Sequence, residues 1–127
     1  MGQKRTILIV DDNVDSSQMV KMILEETGLY AVNVCNRGSE ALKILRETRP
    51  ELVLLDIVMP DADGTDIAAQ IQKDKSLALT RIVFMTSLVS QKEVLRSPMI
   101  GGHPFISKPI SSEILLKQIK GFFEIGA

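Results

Sequence analysis

Five short apolar runs punctuate the chain, at residues 6–10, 31–35, 51–55, 81–85 and 105–107. Three of them are apolar almost throughout, which marks strands covered on both faces, the habit of a parallel sheet. Helical patterns fill the gaps. Val20 and Leu24 repeat one turn apart beside Met19 and Ile23, with Asp15 and Ser16 as start signals and Gly28 as the stop. Leu42 and Leu45 sit beside Ala41, after an expected N-cap at Asn36 and before Pro50. Ile67 and Ile71 define a third helix over about residues 65–74. A fourth, over residues 90–96, is cut short by Pro98 and by Gly101 and Gly102. The last starts at Ser111, has Glu113 in its first turn, and puts Leu115, Ile119 and Phe122 on one face. Strict alternation of strand and helix predicts an α/β fold with a doubly wound parallel sheet and helices on both faces.

The longest uninterrupted aliphatic runs are too short to span a membrane, and no apolar segment follows the N-terminal Lys4 and Arg5 to make a secretory signal. A cytoplasmic location is expected. With 127 residues the chain reads as a single domain over residues 1–127. Its 15 Lys and Arg against 16 Asp and Glu leave no basic excess, so direct binding to nucleic acid or to a membrane surface is not expected. Cys35 alone cannot close an internal disulfide and reads as a buried small hydrophobe. His103 has no second ligand nearby in the sequence and reads as a turn residue.

In such a sheet the strands' C-terminal ends open on one edge, where ligands bind. That rule gathers Asp11 and Asp12 from strand one, Asp56 from strand three, Thr86 and Ser87 from strand four, and Lys108 with Pro109 from strand five. Singly these are turn formers, caps, or a structural ion pair between Asp56 and Lys108. Turn formers have no reason to fall at four strand ends on one edge. Three crowded carboxylates take up a proton or bind a cation, and a hard oxygen-seeking ion such as Mg²⁺ meets that need. A metal on one side and Lys108 on the other make an electropositive socket for a phosphoryl group, with the Thr86 hydroxyl as a donor. Asp56 is then placed to attack phosphorus and form an acyl phosphate.

These residues resemble the receiver domains of two-component response regulators, above all the single-domain chemotaxis-type regulators. The resemblance runs from Ile7-Leu8-Ile9-Val10-Asp11-Asp12 through Leu54-Leu55-Asp56-Ile57-Val58-Met59-Pro60 and Asp63-Gly64 to Met85-Thr86-Ser87 and Phe105-Ile106-Ser107-Lys108-Pro109. It implies a flavodoxin-like (βα)5 fold with strand order 2-1-3-4-5. It also implies a phosphorylation switch, with Asp56 as phosphoacceptor and Mg²⁺ held by Asp11, Asp12, Asp56 and the Val58 backbone carbonyl. Thr86 would be the switch hydroxyl, Ser87 the small residue that keeps the site open, Lys108 the counter-ion, Phe105 the switch aromatic and Lys108-Pro109 a cis peptide. A sensor histidine kinase or histidine phosphotransfer protein would supply the phosphoryl group. An output protein would read the face formed by the fourth helix, fifth strand and last helix. The chain would act as a monomer or a weak phosphorylation-dependent dimer, as a regulatory domain and not an enzyme.

The chain also departs from the family pattern. Phe105 lacks a tyrosine's hydroxyl, and the Gly- and Pro-rich run from Pro98 to Pro104 distorts the fourth helix. Val58 and Leu88 are apolar where fast-hydrolysing relatives often carry polar groups, so slow self-dephosphorylation is expected. Other readings are a receiver module of a larger hybrid kinase or regulator, an aspartyl-nucleophile phosphohydrolase, an FMN binder and an inert scaffold. The phosphohydrolase usually wants an Asp where Val58 stands. An FMN site lacks its phosphate loop after strand one, and a degenerate scaffold would usually have lost one of the site positions.

Overall fold

A computed structural model describes residues 4–87, 99–100, 102–108 and 111–125. Its strands are β1 (Arg5–Val10), β2 (Tyr30–Cys35), β3 (Leu52–Asp56), β4 (Arg81–Thr86) and β5 (His103–Ser107). They pair in parallel in the order β2-β1-β3-β4-β5. The expected topology is therefore present, with one addition: Met99–Ile100 pairs antiparallel along the outer edge of β5.

Alternate side chains of each central strand feed two separate cores, which is why the runs are apolar at every position. On one face Leu8, Val10, Val53, Leu55, Ile82 and Phe84 pack against α2 (Ala41–Thr48) and α3 (Gly64–Lys73). On the other, Ile7, Ile9, Leu54, Val83 and Met85 meet α1 (Val14–Glu26) and the C-terminal helix (Ser112–Ile125). Cys35 is buried, as expected of a small hydrophobe, and its thiol donates to the Arg37 carbonyl at 3.0 Å.

Several boundaries differ from the sequence reading for local reasons. Helix α1 starts ahead of Asp15 and Ser16, because Asn13 is the N-cap and its Oδ1 accepts from the Ser16 N–H at 2.9 Å. Asn36 is not the cap of α2. A single 3₁₀ turn, Gly38–Glu40, leads into that helix, and the Asn36 amide is spent elsewhere. The C-terminal helix buries Phe123 beside Leu115 and Ile119, while Phe122 packs only partly buried. Four-residue spacing from Ile119 puts Phe123 on the stripe that three-residue spacing would have given to Phe122. His103 opens β5 instead of lying in a turn: the chain reverses at Gly102 (φ +84°), and His103 pairs with Ile100. The expected fourth helix at residues 90–96, with Pro98, falls outside the described residues, as do Leu88 and Pro109.

Candidate functional site at the carboxyl edge of the sheet

The β1 ladder extends one step past Val10, where the Asp11 N–H donates to the Cys35 carbonyl at 3.1 Å. This carries the Asp11 side chain into the interior, where it is 0% exposed. Both its oxygens are engaged: Oδ1 accepts from the Asn13 N–H at 3.0 Å, and Oδ2 accepts from Lys108 Nζ at 2.7 Å. Asp12, one residue on, points outward and is exposed. Asp56 ends β3 and is buried, with its Oδ2 3.5 Å from the same Lys108 ammonium. One carboxylate oxygen from each of Asp11, Asp12 and Asp56 lies within 4.8 Å of the others.

The remaining predicted residues fall partly beside that cluster and partly away from it. Thr86 ends β4, buried, and its carbonyl accepts from the Lys108 N–H at 2.8 Å, which ties the ends of β4 and β5 together. Ser87 follows it and is exposed. Val58 is 59% exposed, and its N–H donates back to the Asp56 carboxylate. Phe105 lies apart from the acidic cluster, buried in the core with Leu55 and Phe84. The structure thus gathers Asp11, Asp12, Asp56, Thr86 and Lys108 at one edge.

Burial is the main force on the Asp56 carboxyl, and the carboxylate of Asp11 pushes the same way. The Lys108 ammonium and the Val58 N–H oppose them, and the balance leaves Asp56 pushed up to about 6. A site that raises a carboxylic acid in this way gains from any cation brought to it. Three carboxylates suit a hard ion that takes oxygen ligands and keeps several waters, so the donor set fits Mg²⁺.

Three further residues shape the site without having been expected in it. Gly64 begins α3 where a Cβ would stand 2.1 Å from the Asp56 carbonyl oxygen and 2.8 Å from Ile57 Cα. Its N–H donates to the Ile57 carbonyl at 2.7 Å, so the helix start is laid directly on the backbone that carries Asp56. Asn36 donates from Nδ2 to the Asp11 carbonyl at 2.7 Å and to Ser17 Oγ at 2.9 Å. Asp61 accepts from the N–H groups of Gly38 and Ser39 at 3.2 and 3.0 Å. In the sequence Gly64 stands only among the residues that carry the resemblance and Asn36 only as an expected helix cap, while Asp61 follows Pro60 with no signal of its own.

The family model for the response regulator receiver domain matches residues 7–120. The chain belongs to that family. A receiver domain is a regulatory phosphoacceptor of two-component signalling, which takes its phosphoryl group from histidine kinases or phosphotransfer proteins. Among relatives, the polar-differentiation response regulator DivK of Brucella anthropi is 29% identical over 118 residues, covering 93% of this chain and 95% of DivK. Among solved receiver structures, the chemotaxis protein CheY4 of Vibrio cholerae is 26% identical with a TM-score of 0.80, covering 94% of this chain and 98% of that one. The receiver domain of a signal transduction histidine kinase from Syntrophus aciditrophicus is 32% identical with the same TM-score of 0.80, covering 96% of this chain and 92% of its own. Among the described residues no helix is long and apolar enough to cross a membrane.

Proposed function

We propose that this chain is one receiver domain over residues 1–127, acting in the cytoplasm as a switch that is set by phosphorylation of Asp56. The observation that carries the reading is the convergence of Asp11, Asp12 and Asp56 around one ammonium, Lys108, at the carboxyl edge of a receiver fold. Asp11, Asp12, Asp56 and the Val58 carbonyl would hold Mg²⁺. When bound, the ion supplies positive charge that draws phosphoryl oxygens in and offsets the negative charge of transfer.

The chain's own residues do the rest. An Asp56 carboxylate oxygen attacks the phosphorus of a phosphohistidine on a sensor kinase or phosphotransfer protein. The new O–P bond forms as the P–N bond breaks, and the partner's imidazole leaves. Lys108 stays close to both carboxylates and can follow the negative charge from Asp11 to the incoming phosphoryl oxygens. The buried hydroxyl of Thr86, with Ser87 beside it, lies at the end of the neighbouring strand as a further donor to that group. Movement of Thr86 and of Phe105, which lies in the core two pairs along from it, would then carry the change toward the face around β5 and the C-terminal helix for an output protein to read.

A second reading, a receiver module working within a larger sensor kinase, is supported by the 32% identity to a receiver taken from a histidine kinase. Both readings share the same chemistry. Intact-mass measurement after incubation with phosphoramidate and Mg²⁺ tests it. A gain of one phosphoryl group in the wild type and none in Asp56→Ala is expected. No gain at saturating donor would leave an inert scaffold.

A further inference from the structure

Among the loops at the acidic edge, those after β1, β2 and β3 are bonded in series, and only two of these three carry proposed metal ligands. The loop after β1 holds Asp11 and Asp12, and the loop after β3 holds Val58. The loop after β2, residues 36–39, carries none, yet it is bonded to both of the others. On one side Asn36 donates to the backbone carbonyl of Asp11. On the other, Gly38 and Ser39 donate to the two carboxylate oxygens of Asp61. Packing reinforces the second contact: a Cβ on Gly38 would stand 2.5 Å from Ala62 Cβ and 3.1 Å from Met59 Cε.

Asp61 lies at the tip of a small hairpin in which Val58 pairs with Asp63 and Met59 with Ala62. The base of that hairpin is fixed by Gly64 on the Asp56 and Ile57 backbone. Its tip has no comparable backbone anchor among the described residues, so the Asp61 carboxylate, together with the packing of Met59 and Ala62, holds it to the body of the domain. The hydrogen bond from the Ser39 N–H keeps that carboxyl below the usual range, and at neutral pH it is an ionised acceptor.

We propose that Asn36 and Asp61 are positioning residues that splint the two ligand-bearing loops through the β2–α2 loop, fixing the separation of the Asp11/Asp12 pair from the Val58 carbonyl. The inference rests on the Mg²⁺ site of the proposed function and deepens it. Its physical content is selectivity. Mg²⁺ demands near-ideal octahedral geometry at short distances, whereas Ca²⁺ accepts longer and more flexible ligation. A loosened splint therefore weakens Mg²⁺ more than Ca²⁺. Outer residues that orient metal ligands are worth ten- to a hundredfold in affinity, and one acting through loop backbone belongs at about tenfold.

The test is an amide chemical-shift titration of the full chain with Mg²⁺ alone and with Ca²⁺ alone, for the wild type, Asp61→Ala, Asp61→Asn and Asn36→Ala. Asp61→Ala and Asn36→Ala should each raise the Mg²⁺ dissociation constant about tenfold and the Ca²⁺ constant less than about threefold. Asp61→Asn keeps an acceptor oxygen for one of the two loop N–H groups and sets its amide against the other, and should recover only part of the Mg²⁺ affinity. Because the constants are read on folded protein, a merely stabilising role would move the unfolding midpoint and leave them alone. Equal losses for both ions would assign the effect to bulk charge and overturn the splint. Unchanged constants in the variants beside a wild type that binds Mg²⁺ would overturn it too. A wild type that takes no Mg²⁺ would remove the functional reading itself, and the splint with it.

Discussion

The ammonium of Lys108 stands closer to Asp11 than to Asp56, at 2.7 Å against 3.5 Å. The sequence alone suggested an Asp56–Lys108 pair, but the fully buried Asp11 carboxylate has the greater need of a cation. Breaking a buried pair by removing one partner costs about 3–5 kcal/mol, and Lys108 is partly exposed, so about 2 kcal/mol is the expected loss for Lys108→Met at pH 7 without metal. Added Mg²⁺ should restore part of it by supplying the missing charge. Urea unfolding followed by far-ultraviolet circular dichroism checks both, and a Lys108→Met midpoint equal to that of the wild type without metal contradicts the pairing.

Asp56 makes the metal-free fold pH-dependent. Its carboxyl titrates at about 6 in the folded chain, above its ordinary 3.8, so the folded state binds that proton more tightly than the unfolded state does. The contribution to stability is complete below about pH 4 and is lost as the pH rises through 6. At 1.36 kcal/mol per pH unit, a shift of roughly two units sets an upper bound of about 3 kcal/mol. Asp56→Asn carries no charge at any pH. It should therefore exceed the wild type by about 1–3 kcal/mol at pH 7.5, and by almost nothing at pH 4. An advantage equal at both pH values would point to packing instead of ionisation.

Asp11, Asp56, Thr86 and Lys108 were legible in the sequence because topology alone brings strand ends together. No side-chain detail is needed once the strands are parallel and in order. Asn36 and Asp61 were not legible, since an Asn after a strand and an Asp after a proline carry the local signatures of a cap and a turn. Their partners lie 25 and 22–23 positions away in sequence, and only the folded loops bring them within reach. Phe123 was misassigned to Phe122 because three- and four-residue spacings both return to one face of a helix.

Two glycines with opposite expectations test how the site is assembled. Gly64→Ala puts a methyl group into the Asp56 carbonyl, a contact with backbone that no rotamer relieves. Overpacking of this kind costs typically 1–3 kcal/mol and more where backbone must move, so a loss of about 3 kcal/mol is expected, with Asp56 and α3 pushed apart. Gly121, in the C-terminal helix, has nothing within 4 Å of the place an added methyl group would take. Gly121→Ala should stabilise by about 0.5–1 kcal/mol through helix propensity alone. Denaturant midpoints of the two variants, measured side by side, check the contrast.

Val58 bears on the lifetime of the switched state. It flanks Asp56, is 59% exposed, and presents only methyl groups toward solvent. Hydrolysis of an aspartyl phosphate needs a water held in line with the O–P bond, and an aliphatic side chain offers such a water no hydrogen bond. Phospho-Asp56 should therefore persist for minutes or longer in Mg²⁺ buffer once the donor is removed. Val58→Asn introduces both a donor and an acceptor at the same place, and should shorten that lifetime roughly threefold to tenfold while leaving the extent of phosphorylation at saturating donor unchanged. Loss of the phosphoryl mass with time measures it. A wild-type lifetime of seconds, or a Val58→Asn indistinguishable from wild type, would show that the side chain at this position does not govern access of water to the phosphorus.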